Sequence, residues 1–206
     1  MVRTIAKDHD DKRRHILMVA AEVFAREGIA RASMNEVAKA CGISKANIYH
    51  YYSSKDDLLF DILDSYLSRL RNWICDLDMR GLIPEDQLGL VTREFLLAYE
   101  GMDNQHKIQG EGLPLLDKEK QDVLKNYQRD LVALVSRILR NCAPEALGHD
   151  TGRCRDVTMS VFGMLNWFYM WQPNATKEAR ISYAASITAL TLHGIRRPDG
   201  PEQSVT

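Results

Sequence analysis

The sequence predicts an all-α protein, with an amino-terminal three-helix helix-turn-helix domain and a larger helical domain after it. Two observations predict this fold class. No segment of the 206 residues alternates polar and apolar residues with a β-branched bias, so strand signals are nearly absent. Apolar residues instead recur at three- and four-residue spacing, and glycine, serine or proline stands at the ends of these periodic segments.

The first helix is predicted from about residue 12, in the segment RRHILMVAAEVFAREG. Ile16, Ala20, Val23 and Phe24 fall on one stripe at helical spacing, which predicts a buried face. Gly28 stands where a glycine ends a helix, because glycine adopts the left-handed conformation of the C′ position without steric cost.

The next two helices are short and lie on either side of a tight turn. Ser33 precedes Glu36 by three residues, which is the spacing of a capping box and predicts the start of the second helix. Ser44 is a suitable N-cap for the third helix, KANIYHYY. The turn between them, 42–44, reads Gly-Ile-Ser and is typical of a helix-turn-helix.

A fourth helix is predicted after Ser54, with Asp57 at its capping-box position, and it continues to about residue 77. The segment Gly-Leu-Ile-Pro at 81–84 then breaks the chain. Later helices are predicted at about 85–101, 118–142, 151–172 and 177–195, with a short one between 103 and 110, and the tail 196–206 is predicted to be disordered. We therefore assign residues 11–57 to the helix-turn-helix domain and residues 58–197 to an effector-binding and dimerisation domain.

Composition narrows the class of protein. The chain is 45% hydrophobic and 27% charged, it lacks an apolar signal-peptide core, and its longest apolar stretch falls short of the ~20 residues of a membrane span, so we expect a cytoplasmic protein. The four cysteines form no C-x-x-C pair, which predicts no metal site, and no cofactor motif is recognisable. Residues 1–55 carry ten Lys or Arg against six Asp or Glu, so an anionic partner is expected at that end.

The third helix has one anchored face and one outward face. With Ile48 as the origin, Tyr52 lies at about 40° and Tyr51 at about 300°, so both pack inward or along the edge. The opposite face presents side chains suited to hydrogen bonds with bases or phosphates, namely Ala46, Asn47, Tyr49 and His50. Free N–H groups and the helix dipole favour phosphate near Ser44 and Lys45, and Lys55 has the same place on the fourth helix.

The stretch from Ile16 to Leu59, with its apolar-Ala-Phe first helix and the run SMNEVAKACGISKANIYHYYSSKDDL, resembles the DNA-binding domain of the TetR family of bacterial transcriptional repressors. That family usually shows Tyr-aromatic-His-Phe where this chain has Tyr-His-Tyr-Tyr at 49–52. The resemblance implies a homodimer on an operator of double-stranded DNA. It also implies the DNA-facing positions, which are Ser33, Ser44, Lys45, Ala46, Asn47, Tyr49, His50, Tyr51 and Lys55.

The carboxy-terminal half, through FGMLNWFYMW and LPLLDKEKQDVLKNYQRDLV, resembles the branch of that family that senses acyl-CoA thioesters. This resemblance implies a pocket, in which Asn166 would donate to a thioester carbonyl. The implied ligand-binding residues are Phe162, Asn166, Tyr169 and Tyr127.

The leading hypothesis is a ligand-responsive transcriptional repressor that is released from its operator by a small effector, with acyl-CoA as the expected class. One alternative is a repressor of an efflux system that responds to an apolar or cationic drug-like compound. The other is a small helical enzyme acting on a thioester. We expect no enzyme, because the sequence contains none of the common nucleophile, zinc-protease or nucleotide-binding motifs.

Overall fold

The computed structural model describes the backbone of residues 2–195 and the side chains of residues 9–194. Within that span its regular secondary structure is entirely helical, which confirms the predicted all-α class. A single 3₁₀ turn, Leu113–Leu115, follows the sixth α-helix. The α-helices, in chain order, are α1 (Val2–Glu27), α2 (Met34–Ala40), α3 (Lys45–Tyr51), α4 (Lys55–Cys75), α5 (Pro84–Ala98), α6 (Asp103–Gly112), α7 (Lys118–Cys142), α8 (Pro144–Leu147), α9 (Thr151–Trp171) and α10 (Lys177–Ile195).

The described residues form two compact units. The first unit contains residues 2–72 and 101–129, so it holds α1 to α3, most of α4, α6 and the first half of α7. The second unit contains residues 73–100 and 130–195, so it holds α5, the second half of α7 and α8 to α10. The boundary predicted after residue 57 is a division by function, and it stays a prediction.

The helix ends follow the capping chemistry in the sequence. The backbone N–H of Ser33 donates to Glu36 Oε2 at 2.7 Å and the Glu36 N–H donates to Ser33 Oγ at 3.3 Å, which completes the predicted capping box. The Asn47 N–H donates to Ser44 Oγ at 3.1 Å, so Ser44 is the N-cap of α3. Gly28 ends α1 with φ of +84°, as the sequence predicts.

Two helices differ most from the prediction. α1 begins at Val2, about ten residues before the predicted start, because no Pro or Gly interrupts the chain before Glu27 and an existing helix extends at little cost. α8 is a single turn that begins at Pro144, where only a break was expected. Proline is favoured at the first position of a helix, because its missing N–H would have had no partner there. The predicted disorder at 196–206 lies outside the described residues.

In the first unit, the apolar stripe of α1 packs against α2 and α6. Ala20 and Phe24 of that stripe are almost completely buried, as predicted. α6 approaches closely at Gly112, where an added Cβ would lie 3.1 Å from side-chain carbons of both Ile29 and Leu59. Glycine therefore permits α6 to pack against this part of the core.

In the second unit, α5 packs along α10. Phe95 of α5 is fully buried, and the hydroxyls of Thr92 and Thr188 share a hydrogen bond of 2.8 Å between the two helices. Arg180 is 3% exposed, and its guanidinium donates to the backbone carbonyl of Leu96 at 3.1 Å. The charge is thus held inside the unit by backbone carbonyls, because a buried donor must find an acceptor.

Candidate functional site

The outward face of α3 is an exposed surface that carries several polar side chains. Ile48 is fully buried beneath it, and Tyr52 at its carboxyl end is 7% exposed. The opposite face is solvent-exposed, as the helical spacing predicts. Its members are Ala46, Asn47, Tyr49 and His50. Ser44 and Lys45 are exposed beside it at the start of the helix, and we call these six residues the α3 face.

The turn between α2 and α3 has the geometry of a helix-turn-helix. The Ile43 N–H donates to the carbonyl of Ala38 at 3.0 Å, and Gly42 has φ of +68°, a conformation that other residues seldom adopt. The first turn of α3 is exposed. The Ser44 Oγ accepts from Asn47, so its own hydroxyl proton is available to an acceptor such as a phosphate.

The carboxyl end of α3 is held by a carboxylate on α4. Tyr52 donates its hydroxyl to Asp61 Oδ2 at 2.6 Å, and the Arg13 guanidinium of α1 donates to both oxygens of the same carboxylate. Burial first, and then the hydrogen bond to Asp61, raise the pKa of Tyr52 above its ordinary value. The hydrogen bond to Asp61 is the main cause that raises the pKa of Arg13. Three helices therefore meet at one carboxylate, which fixes where α3 ends.

Lys55 is placed differently from the other cations of this region. Its ammonium donates to the backbone carbonyls of Ile29, Ala30 and Ala32 at 2.8, 3.2 and 3.1 Å. A lysine has three N–H donors, and these three bonds use all of them. In this structure Lys55 therefore closes the turn between α1 and α2, which gives it a structural role that the sequence did not suggest.

Ser33 and Tyr51 also have partners inside the first unit. The Ser33 hydroxyl donates to Glu36 Oε2 at 2.8 Å, so its proton is used within the capping box. Tyr51 is half-buried, and its ring stacks on that of His9 with the centroids 5.0 Å apart. Of the nine predicted DNA-facing residues, six therefore make up the exposed α3 face, while Ser33, Tyr51 and Lys55 lie outside it with internal contacts.

A second polar link, which the sequence did not reveal, involves the first turn of α4. Asp57 accepts from Lys120 of α7 at 2.7 Å and from the Ser53 hydroxyl. The Asp57 N–H donates to Ser54 Oγ at 3.0 Å, which is one of the two bonds of the predicted capping box. The Asp57 carboxylate would make the second bond, but it accepts from Lys120 and Ser53 instead. The hydrogen bond from Lys120, followed by those from Ser53 and Ser54, holds the pKa of Asp57 well below its usual range.

The predicted ligand-binding residues do not all fall in one unit. Phe162, Asn166 and Tyr169 lie on α9 in the second unit, whereas Tyr127 lies on α7 in the first, where its hydroxyl donates to Asp64 at 3.1 Å. Phe162 is 8% exposed, while Asn166, Tyr169 and Tyr127 are half-buried.

Asn166, one of the three predicted ligand-binding residues on α9, accepts a hydrogen bond within the second unit. Tyr99, whose pKa is raised by burial, donates its hydroxyl to Asn166 Oδ1 at 2.9 Å. This bond orients the Asn166 amide, so that its Nδ2 is directed away from Tyr99 and can donate to a carbonyl. Phe162 packs edge-on against Phe95 with the centroids 5.5 Å apart and gives the set an apolar side.

α9 and α10 also carry several large apolar side chains that are exposed to solvent. Trp167 and Leu190 are 62% and 65% exposed. Small residues line the exposed side of both helices, with Gly163 on α9 and Ala185 and Ala189 on α10. Exposed apolar residues at this density are unusual for a free surface. The exposed apolar side chains of this surface, which we call the α9–α10 face, are Met159, Trp167, Met170, Trp171, Ile181 and Leu190.

The described part of the chain offers neither a metal site nor a membrane span. No three His, Cys, Asp or Glu side chains there are grouped so as to hold a metal ion. Among the same residues, no helix combines the length and apolar character that a membrane crossing requires.

Two family models match the chain. Residues 16–62 match the bacterial regulatory proteins of the tetR family, and residues 81–195 match the tetracyclin repressor-like carboxy-terminal domain. The second match alone covers more than half of the chain. A helical regulator with an amino-terminal helix-turn-helix is the class that the fold and these matches define. The chain belongs to the TetR family of bacterial regulatory proteins.

Three known proteins illustrate the similarity. Over 97 residues the chain is 33% identical to the HTH-type transcriptional regulator AcrR of Shigella flexneri, which spans 47% of this chain but only 44% of that relative. A TetR-family regulator from Bordetella parapertussis 12822 superposes with a TM-score of 0.81 at 28% identity, over 87% of this chain and 93% of that one. The structure of AibR in complex with isovaleryl coenzyme A and operator DNA superposes with a TM-score of 0.71 at 21% identity, over 87% of this chain and 97% of that one.

Proposed function

We propose that the protein is a ligand-responsive transcriptional repressor that binds an inverted-repeat operator as a homodimer and is released by a small effector. The observation that carries this proposal is the outward face of α3. Six residues with polar or small side chains are exposed there, directly after Gly42 and Ile43 of the turn, while the buried side chain of Ile48 anchors the helix. In a helix-turn-helix, the second helix lies in the major groove, and α3 has that position and an exposed face that can contact the bases.

On this face we assign base contacts to Lys45, Asn47 and His50, whose side chains carry the donors and acceptors that base edges recognise. Ser44 and Tyr49 serve as phosphate contacts, and Ala46 allows the backbone close approach. Ser33 and Lys55 are assigned to holding this surface rather than to touching DNA, since their donors are used within the first unit. Because the proposed partner is chromosomal DNA, the proposed place of action is the cytoplasm.

The homodimer is supported by the α9–α10 face. A stable dimer needs an apolar patch at its centre, and exposed tryptophans are the residues that contribute most there. The small residues between them would let two copies of each helix approach closely. A dimer of this kind presents two α3 helices to successive major grooves, ~34 Å apart, which requires an inverted repeat in the DNA.

For the effector we propose an acyl-CoA thioester, bound in the second unit beside Phe162, Asn166 and Tyr169. Support comes from Asn166, which Tyr99 orients as a donor suited to a thioester carbonyl, and from Phe162, which offers an apolar wall to an acyl chain. The complex of AibR with isovaleryl coenzyme A is an example of such a ligand in a protein of this fold. Tyr127, in the first unit, stays a separate candidate contact.

Release of DNA follows if the effector favours a dimer geometry in which the two α3 helices have the wrong spacing. A coupling of ~1–3 kcal/mol between the two ligands would lower DNA affinity about 5- to 150-fold. Because coupling is reciprocal, operator DNA must weaken effector binding by the same factor. This reciprocity is the quantitative signature of the proposal.

The test is a fluorescence titration of the purified protein with DNA from beside its own gene, in the absence and presence of a panel of acyl-CoA thioesters. Salt-sensitive binding by a dimer that one thioester relieves supports repressor and effector together. Binding that is relieved only by apolar or cationic drug-like compounds keeps the repressor and replaces the effector class. Thioester turnover without DNA binding supports the enzyme instead, and Asn47→Ala, which would not affect turnover, separates the two functions.

A further inference from the structure

Three rings from two helices form a cluster at the edge of the α3 face. The Tyr51 ring lies between the other two, stacked on His9 at 5.0 Å with an interplanar angle of 27° and edge-on to His50 at 5.9 Å and 84°. Both histidines are exposed, whereas Tyr51 is half-buried. We call His9, His50 and Tyr51 the ring cluster.

The ring cluster extends the α3 face onto α1. His50 belongs to the exposed face of α3, and Tyr51 connects it to His9, which lies 42 positions before Tyr51 in the chain. His9 also precedes the stretch that matches the family, which begins at residue 16. The contact thus comes from the amino-terminal part of α1, which the resemblance to the family did not include.

The segment around His9 is only weakly basic. Residues 2–15 carry five Lys or Arg against three Asp. Arg13 is bound to Asp61, and Arg14 donates to Asp11 at 2.7 Å. Non-specific attraction to phosphate comes from cations such as Arg3 and Lys7, so it does not account for an aromatic ring at position 9. What His9 provides is a flat ring packed on Tyr51.

From these contacts we infer that His9 is a positioning residue for sequence recognition. Its ring stacks on Tyr51, the rotamer of Tyr51 is thereby restricted, and the edge-on contact in turn orients the imidazole of His50 on the DNA-facing side. The inference rests on the proposed DNA-binding function. It extends the recognition element beyond α3 and makes the amino-terminal segment of α1 part of sequence discrimination.

The experiment uses the full chain. A preferred duplex is first selected from a random-sequence double-stranded DNA library, and the dissociation constants for that duplex and for a scrambled duplex are measured over a range of salt concentrations. We expect His9→Ala to reduce the ratio of the two constants by about fivefold, since a well-placed base contact is worth about fivefold or more in discrimination. The slope of affinity against salt should not change.

Three variants make the test specific. His9→Phe keeps a flat ring and should restore the ratio, whereas His15→Ala, an exposed histidine later on the same helix, should leave it at the wild-type value. In a Tyr51→Ala background, His9→Ala should have no additional effect, because the two residues act through one contact. Thermal melts confirm that each variant is folded.

The outcomes separate the inference from the function on which it rests. Wild-type protein without any preference among DNA sequences contradicts the proposed function itself. A wild-type preference that His9→Ala leaves unchanged overturns only the inference. Equal losses on both duplexes with a shallower salt slope also overturn it, because His9 would then be a phosphate contact and not a positioning residue.

Discussion

Tyr52, the C-cap residue of α3, donates its hydroxyl to Asp61 Oδ2 of α4 at 2.6 Å. The same carboxylate also binds Arg13 of α1. This contact fixes the carboxyl end of a helix that is only seven residues long. Helices of that length are not stable alone, so their orientation depends on tertiary contacts. The position of the proposed DNA-reading face is thus set by a buried phenol and an acidic residue on another helix.

Replacing Tyr52 by Phe tests this contact. The variant keeps the ring and loses the hydrogen bond to a charged acceptor, so we expect the free energy of unfolding to fall by about 1.5–3 kcal/mol. Urea denaturation measures the change. Tyr49→Phe is the matched control, because that hydroxyl belongs to an exposed ring and its loss should alter stability by less than about 0.5 kcal/mol. Equal stability of the two variants would show that the Asp61 contact contributes nothing.

The two lysines at the starts of α3 and α4 should behave differently. Lys55→Met removes three hydrogen bonds to the turn after α1, so we expect a loss of about 2–3 kcal/mol in unfolding free energy. Lys45→Met should leave stability nearly unchanged and, since Lys45 is assigned to base contacts, weaken binding to the preferred duplex by about 1–3 kcal/mol more than binding to a scrambled duplex. Denaturation curves and DNA titrations of both variants decide the question. A fully stable Lys55→Met protein with weakened DNA binding would restore the phosphate contact that the sequence predicts for Lys55.

The Lys120–Asp57 pair predicts a pH dependence of stability. Because the pKa of Asp57 is lowered in the folded state, its contribution is present above the unfolded carboxyl pKa of ~4 and is lost as the pH falls through the lower folded pKa. Solvent screens the pair, since 38% of the Asp57 side chain is exposed, so the gap between wild type and Lys120→Met should be about 0.5–1 kcal/mol at pH 7.

Urea denaturation at pH 7, 5, 4 and 3 measures that gap. It should be constant from pH 7 to pH 5 and narrow below about pH 4. Lys118→Met removes an exposed lysine two residues earlier on the same helix and should show no such dependence. A gap that persists unchanged at pH 3 would mean that Lys120 acts through packing against Phe60, whose ring centroid lies 5.9 Å from its Nζ, and not through Asp57.

The Tyr99–Asn166 bond predicts coupled effects on stability and on effector binding. Asn166→Leu removes the amide oxygen that accepts from Tyr99, so we expect a loss of about 1–2 kcal/mol in unfolding free energy. Combining it with Tyr99→Phe should cost less than the sum of the single changes, because both remove one interaction. If thioester binding depends on the Asn166 amide, the single variant Asn166→Leu and the double variant should bind the thioester equally weakly. Tyr99→Phe alone should then bind it better than either.

Local sequence patterns predicted much of this fold because helix capping, glycine conformation and helical spacing depend only on residues that are close in the chain. The Ser33–Glu36 capping box, the left-handed glycines at 28 and 42 and the burial of Ile48 each depend on residues a few positions apart. Helical periodicity also identified the exposed face of α3. These features follow from backbone geometry and helical spacing and need no knowledge of distant partners.

Contacts between residues far apart in the chain could not be predicted in the same way. Periodicity indicates that Lys55 begins a helix, but it does not reveal that carbonyls 23 to 26 residues earlier accept hydrogen bonds from its ammonium. Asp57 was expected to complete a capping box, and instead it binds Lys120, 63 positions later. A carboxylate has several possible donors, and the packing of other helices decides which of them comes within reach. For the same reason, sequence patterns did not reveal that Tyr127 donates to Asp64, 63 positions earlier.

The last prediction concerns the α9–α10 face and the homodimer. Trp167→Gln places a polar side chain on an apolar patch, and a tryptophan at an interface centre is typically worth about 2 kcal/mol or more, so the dimer dissociation constant should rise at least about thirtyfold. Trp73→Gln is the matched control, since Trp73 is also exposed, at 58%, but lies on α4, and its indole N–H donates to Glu94. Analytical ultracentrifugation gives both constants. Dimers of equal strength in the two variants would place the interface elsewhere, whereas monomers only for Trp167→Gln, with operator affinity lost in parallel, would tie DNA binding to this face.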